Sequence, residues 1–104
     1  MIKKINILGV EYAVQEVDVV CKDDPRRGEV NYLTNIIKLD KEMPTSLKNQ
    51  VLMHEVLHAM FDLLGMSDLR DDEPRIQAIA TAIHQIFSTQ NIFEMDAERK
   101  RETQ

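Results

Sequence analysis

The chain has 104 residues, enough for one domain with a modest core, and its 43% hydrophobic and 30% charged residues are ordinary for a globular protein. A formal net charge of −5 without a sizeable basic patch argues against direct nucleic-acid binding. Cys21 is the single cysteine, so an internal disulfide is excluded and a reducing compartment is favoured. No stretch has the character of a signal peptide or a membrane span, and we expect a cytoplasmic protein without membrane contacts.

The first forty residues predict two β-hairpins. Residues 2–8 are rich in Ile and Leu, Gly9 can form a turn, and residues 11–17 alternate apolar and polar side chains. A polar loop over residues 21–28 follows. The second hairpin is predicted to run from Val30 to Leu33 and from Ile36 to Leu39, with a turn at Thr34-Asn35. Together the hairpins predict a small antiparallel sheet.

From Pro44 onward the apolar spacing becomes helical. Thr45 or Ser46 can cap the first helix, and Gly65 can end it in a left-handed conformation. Apolar residues surround its second half almost completely, which predicts a central, buried helix. A short acidic connection over residues 66–72 leads to a second helix that begins near Asp72 or Glu73 and fades after residue 93. We expect an α+β fold, with one domain over residues 1–93 and a charged tail over residues 94–104.

The first helix carries the segment His54-Glu55-Val56-Leu57-His58, which has the HExxH pattern of zinc hydrolases. Residues four apart lie on the same helix face, so both imidazoles can reach one metal ion. Glu55 follows the first histidine, where its carboxylate can act on a water beside the metal as a general base. Burying two histidines and a glutamate costs several kcal/mol unless they are paired or bound to a metal. The segment therefore predicts a zinc site.

A catalytic zinc site needs a third protein ligand. The residues that could supply it are Asp62, Asp68, Asp71, Asp72, Glu73 and His84. Glu73 is favoured because it opens the second helix, which must fold back antiparallel against the first. Asp62 continues the histidine face too far along the helix and suits an outer position, while the neighbouring aspartates suit capping. His84 lies about 16 Å further along the second helix than Glu73 and is predicted to be structural or on the surface.

The segment HEVLHAMFDLLG, the step from His58 to Glu73 and the run from Glu73 to Ala80 resemble the ImmA/IrrE-like metallopeptidases. The resemblance covers roughly residues 1–90 and is closest to the small phage and prophage branch called minigluzincins. It implies a minimal zincin-like fold, with a small sheet packed on two main helices. It also implies Zn²⁺ bound by His54, His58 and Glu73, with Glu55 as the general base.

The chain departs from larger gluzincins in two respects. Gln77 stands where they often carry an aspartate that orients a histidine; an amide can accept the same hydrogen bond but supplies no charge. The chain is also too short for the additional domain that supplies a transition-state Tyr or His, a role for which Tyr32 and Tyr12 are candidates.

The resemblance implies hydrolysis of peptide bonds in a specific protein of a bacterial host or prophage, such as a phage or mobile-element regulator. An extended protein or peptide substrate could add to an exposed edge of the Val30–Leu39 hairpin. Two alternatives stay open. In the first, the protein is a non-catalytic regulatory or binding module with structural zinc, closed by a fourth ligand for which Cys21 offers the only thiol. In the second, it is an interaction protein without metal.

Overall fold

Four strands and three helices make up the computed structural model, which describes residues 3–89. The elements, in chain order, are β1 Lys4–Ile7, β2 Val10–Val17, β3 Gly28–Asn31, β4 Ile36–Asp40, α1 Thr45–Leu63, α2 Ser67–Arg70 and α3 Glu73–Thr89. The predicted α+β fold, with a small sheet packed on helices of which two are long, is confirmed. The predicted end of the second helix near residue 93 and the tail over residues 94–104 lie outside the described residues.

The sheet has the strand order β1-β2-β4-β3, and both predicted hairpins are present in it. Each hairpin is antiparallel, but β2 pairs with β4 in parallel, from Ala13 opposite Ile36 to Val17 opposite Asp40. The sheet is therefore mixed, and the prediction of a wholly antiparallel sheet was wrong. After β2 the chain crosses to the far edge of the sheet, where β3 runs opposite to β2. Strand β4 then returns between β2 and β3, antiparallel to β3 and therefore parallel to β2.

The second hairpin begins and turns earlier than predicted. Its first strand covers Gly28–Asn31, and residues 32–35 form the turn, where Asn35 has a φ of 56°. The Asn31 side-chain oxygen accepts hydrogen bonds from the backbone N–H groups of Leu33 and Thr34, at 2.9 and 3.1 Å. These bonds bend the chain immediately after Asn31. Leu33, predicted to lie in the strand, is instead 96% exposed in the turn.

Helix α1 begins without the predicted side-chain cap and ends at the predicted glycine. Pro44 occupies the N-cap position, and no side chain caps the helix, so the expectation for Thr45 or Ser46 was wrong. Gly65 has a φ of +71°, a conformation that costs glycine little. The Gly65 N–H donates to the Asp62 carbonyl at 3.1 Å and the Met66 N–H to the Phe61 carbonyl at 2.9 Å. This is a Schellman motif, and it reverses the chain.

The connection over residues 66–72 contains the one-turn helix α2, which the sequence did not predict. Helix α3 then begins at Glu73, as expected. The Asp72 carboxylate accepts a hydrogen bond from the Arg75 N–H at 3.2 Å, and Pro74 lies in the first turn, where its missing N–H costs nothing.

Helix α1 is the middle layer of the molecule, as its apolar surround predicted. One side packs on the sheet in a core cluster that contains Ile7, Tyr12, Val14, Ile37, Leu39, Met43, Leu52 and Ala59. The other side packs on α3 in a second cluster that contains Leu57, Phe61, Ile76 and Ala80. Contacts on both sides hold the His54–His58 turn on a rigid element. Within residues 3–89, no helix combines the length and the apolar character needed to cross a membrane.

Candidate metal centre

His54 and His58 point from one face of α1 toward the first turn of α3. Their Nε2 atoms are 3.1 Å apart, as the spacing of four residues predicts. The His58 side chain is 8% exposed and that of His54 17%, so both rings are largely held by packing. Packing of α1 between the sheet and α3 therefore places both imidazoles on the same side of the helix.

Glu73 completes a cluster of three metal-binding side chains. Its Oε2 lies 3.0 Å from His54 Nε2, and its Oε1 lies 2.8 Å from His58 Nε2. The three donor atoms lie within 4.8 Å of one another, and the cluster contains no further His, Cys, Asp or Glu among residues 3–89. The short loop and α2 turn the chain back so that the first residue of α3 faces the histidines. The structure thus brings together all three predicted ligands.

The outer ring nitrogens of both histidines have acceptors. His58 Nδ1 lies 2.7 Å from the backbone carbonyl of Arg70, and His54 Nδ1 lies 2.8 Å from Gln77 Oε1. A carbonyl can only accept, so His58 Nδ1 must carry the proton. The Gln77 amide N–H₂ donates to Thr81 Oγ1 at 3.1 Å, which turns the amide oxygen toward His54. Gln77 therefore occupies the orienting position that the sequence identified, whereas the Arg70 carbonyl was not predicted.

These outer hydrogen bonds leave the inner nitrogen atoms of both imidazoles without a proton. With the protons on Nδ1, both Nε2 atoms present lone pairs to each other and to the Glu73 carboxylate. Three acceptors this close repel one another unless a proton or a metal ion lies between them. Two imidazole nitrogens and one carboxylate are a usual ligand set for catalytic zinc, and tetrahedral bonds of about 2.05 Å would set the donors about 3.3 Å apart. The observed separations of 2.8–3.1 Å need only a small adjustment.

Glu55 is a buried residue with one unsatisfied carboxylate oxygen. The residue is 6% exposed, and its Oε2 has no hydrogen-bond partner. Burial, followed by repulsion from Glu73, raises the pKa of Glu55 to about 7. A carboxyl group with such a pKa can gain and release a proton near neutral pH, as a general base must. A closed structural zinc site has no use for this group.

The remaining candidates lie outside the cluster. Asp62 binds the Arg70 guanidinium at 2.7 Å, Asp71 binds the same group at 2.9 Å, and Asp72 caps α3. His84 and Cys21, which is half-buried, are not members of the cluster. The fourth ligand that a structural site would require is thus missing among residues 3–89.

The two tyrosines differ in their access to the site. Tyr12 is 1% exposed in the core between sheet and helix and does not line the cleft. Tyr32 does line it, with the Arg70 guanidinium carbon 5.4 Å from its ring centroid. Burial raises the pKa of Tyr32 to about 12, so its hydroxyl remains a donor at neutral pH. The expectation that Tyr12 could serve the site was wrong, because core packing uses its side chain.

The cluster opens into a cleft of about 610 Å³ between α1 and β3. β3 is an edge strand of the sheet. The Asp40 N–H donates to the Arg27 carbonyl at 2.9 Å, so alternation along the antiparallel pair directs the backbone groups of Gly28 and Val30 to the free edge. Both residues line the cleft. An extended peptide could therefore pair with β3 beside the three ligands.

Comparisons of the chain with protein-family models, with curated proteins and with solved structures found no match.

Proposed function

We propose that the protein is a zinc-dependent metallopeptidase of the gluzincin type, as its resemblance to the ImmA/IrrE-like family implies. The observation that carries the proposal is the buried carboxylate of Glu55, whose Oε2 has no hydrogen-bond partner, beside three converging metal-binding side chains. Three ligands alone support only the binding of a metal ion, whereas the carboxylate beside them supports a chemical use for that metal. A buried carboxylate oxygen without a hydrogen-bond partner costs stability, and general-base catalysis is a use that accounts for this cost.

His54, His58 and Glu73 would hold the zinc ion. Bound there, zinc supplies Lewis acidity that makes a water molecule more acidic and a substrate carbonyl more electrophilic. Glu55 accepts a proton from the attacking water and donates it to the amine that leaves. Gln77 and the Arg70 carbonyl hold the imidazoles in the tautomer that binds metal. Tyr32 faces the cleft and can donate a hydrogen bond to the oxyanion that develops at the substrate carbonyl.

The proposed substrate is a protein segment in extended conformation. The free edge of β3 offers the backbone N–H and C=O groups of Gly28 and Val30, which recognise a strand irrespective of its side chains. We propose a specific cytoplasmic protein of a bacterial host or prophage, such as a phage or mobile-element regulator. The cleft has no covering domain within residues 3–89, which suits access by a folded protein that presents an exposed segment.

Three variants test the proposal. The protein should retain about one equivalent of zinc, and Glu55→Gln should keep that zinc but lose peptide hydrolysis by a factor of about 10²–10⁴. Glu73→Ala should lose zinc and hydrolysis together. Glu29→Gln is the matched control, because Glu29 also lines the cleft but is not a member of the ligand cluster.

The measurement is zinc stoichiometry by elemental analysis, followed by mass spectrometry of a peptide library after incubation with each variant. Equal cleavage by wild type and Glu55→Gln would refute the role of Glu55. Stoichiometric zinc with no cleavage of any library member by the wild type would instead favour the non-catalytic binding module.

A further inference from the structure

We propose that the Arg70 side chain is a positioning group for the metal centre, because it fixes the segment whose carbonyl orients His58. This inference rests on the proposed zinc site and extends it to a residue that touches none of the ligands through its side chain. Arg70 has two roles in one residue: its carbonyl accepts from His58 Nδ1 at 2.7 Å, while its guanidinium ties α2 to α1.

The segment that carries this carbonyl has little stability of its own. Helix α2 has four residues, and no side-chain hydrogen bond caps it. A single helical turn is not stable in isolation, since nucleation costs more than one turn of hydrogen bonds returns. The position of the Arg70 carbonyl must therefore be determined by contacts from α2 to the rest of the molecule.

The guanidinium supplies two such contacts, to Asp62 and to Tyr32, and it also binds the carboxylate of Asp71 at the end of its own segment. Nη1 donates to Asp62 Oδ1 of α1 at 2.7 Å, and Nε and Nη2 donate to the Asp71 carboxylate at 2.9 and 3.1 Å. Its carbon lies 5.4 Å from the centroid of the Tyr32 ring, in cation–π range. The side chains of Arg70 and Asp62 are only 27% and 24% exposed, so this ion pair is less screened than a surface pair. Arg70 thus joins α2, α1 and the β3–β4 hairpin.

The consequence for metal binding follows from the tautomer of His58. A neutral imidazole can carry its proton on either nitrogen, and only the form with the proton on Nδ1 has a lone pair on Nε2 for a metal. If α2 moves, the Arg70 carbonyl no longer accepts from Nδ1 and the other tautomer becomes populated. Leu69 also anchors α2, because it packs against the apolar cluster shared by α1 and α3. The alternative is therefore that Leu69 holds α2 in place without the Arg70 side chain.

The test compares Arg70→Met with Arg75→Met. Both variants remove one positive charge near Glu73, but among residues 3–89 Arg75 pairs with Asp72 alone, is 69% exposed on its side chain and belongs to α3. Zinc affinity is measured by competition with a chromophoric chelator. The zinc affinity should fall on the order of tenfold in Arg70→Met and by less than about twofold in Arg75→Met. Tenfold is at the lower end of the losses seen when a metal-binding histidine loses its hydrogen-bond partner.

A second measurement reads the tautomer directly in the metal-free protein. The ring-nitrogen NMR shifts of His58 should report a proton on Nδ1 in the wild type and in Arg75→Met, and a mixture of tautomers in Arg70→Met. This readout stands even if the wild type binds no zinc, an outcome that would refute the proposed function but not the role of Arg70. Wild-type shifts in a folded Arg70→Met would show that Leu69 and the backbone suffice, and would overturn the inference.

Two milder variants decide the case if Arg70→Met does not fold. Arg70→Lys keeps the positive charge but cannot form the forked contacts, and Asp62→Asn weakens only the link to α1. Both should shift the His58 tautomer in the same direction by a smaller amount. An unchanged His58 tautomer in both, or equal losses of zinc affinity in Arg70→Met and Arg75→Met, would equally overturn the inference.

Discussion

Gly28 lies where the edge strand β3 crosses helix α1, and its replacement by alanine should destabilise the protein. A β-carbon at this position would lie 2.6 Å from Val51 Cγ1, 3.3 Å from Glu55 Cγ and 3.4 Å from Leu39 Cδ2. The first separation is well inside van der Waals contact, so either Val51 must leave its rotamer or β3 and α1 must move apart. Overpacking of this kind costs about 1–3 kcal/mol, and we expect Gly28→Ala to lower the free energy of unfolding by that amount.

A double-mutant cycle tests whether this contact is the cause. Val51→Ala removes the methyl group that a β-carbon at position 28 would strike, while the two remaining separations are tight but tolerable. The double variant should therefore lose about 1 kcal/mol less than the sum of the single variants, measured by urea unfolding of the metal-free protein. Additive losses would refute the reasoning, because they would show that the two positions do not collide. The strand would then approach the helix less closely than 2.6 Å implies.

Three further predictions concern the site. The pKa of Glu55 is about 7 in the folded protein, against an ordinary 4.5. This difference corresponds to about 3 kcal/mol in the free energy of unfolding, which is present below pH 4.5 and lost as the pH rises through 7. Metal-free Glu55→Gln should thus match the wild type in stability near pH 4.5 and exceed it by up to about 3 kcal/mol at pH 8; equal pH profiles in urea unfolding would contradict this. Gln77→Leu should weaken zinc binding by about 10- to 100-fold, whereas Gln85→Leu, an exposed glutamine on the same helix, should leave the affinity measured by chelator competition unchanged. Val30→Pro should retain the fold, because the N–H of Val30 faces the free edge, but should lose at least about tenfold in peptide cleavage relative to Val30→Ala; equal cleavage by both would exclude strand addition at this edge.

The convergence of His54, His58 and Glu73 could be predicted from the sequence because it depends on local geometry. His54 and His58 share a helix face because they are four residues apart. The short connection after α1 favours antiparallel packing of α3, which places Glu73 against the two histidines. The pairing of Gln77 with His54 follows from the same helical spacing, one turn beyond Glu73. These relations need no knowledge of the sheet.

Other features depend on information that side-chain patterns do not carry. Every residue has a carbonyl, so nothing in the sequence marks that of Arg70 as the acceptor for His58. The parallel pairing of β2 with β4 depends on the path of the loop after β2. The alternation of apolar and polar residues along a strand is the same for parallel and antiparallel pairing, so it could not predict this direction. The early turn after Asn31, in contrast, could have been predicted from the sequence. An asparagine side chain often accepts a hydrogen bond from the backbone N–H two residues ahead, and this bond is typical of a turn.

The three converging metal-binding side chains and Glu55 depend on different parts of the fold. His54, His58, Glu73 and both outer acceptors lie within residues 54–77, and the cost of closing so short a segment is small. Glu55, in contrast, is covered by β3 at Gly28, and β3 is held in place by a sheet whose central pairing joins distant residues. The three converging side chains therefore depend on a short stretch of chain, whereas the cover over Glu55 depends on the whole sheet. Under the proposed function, a molecule in which β3 has not docked would carry the metal-binding groups without a buried base, and we expect it not to hydrolyse peptides.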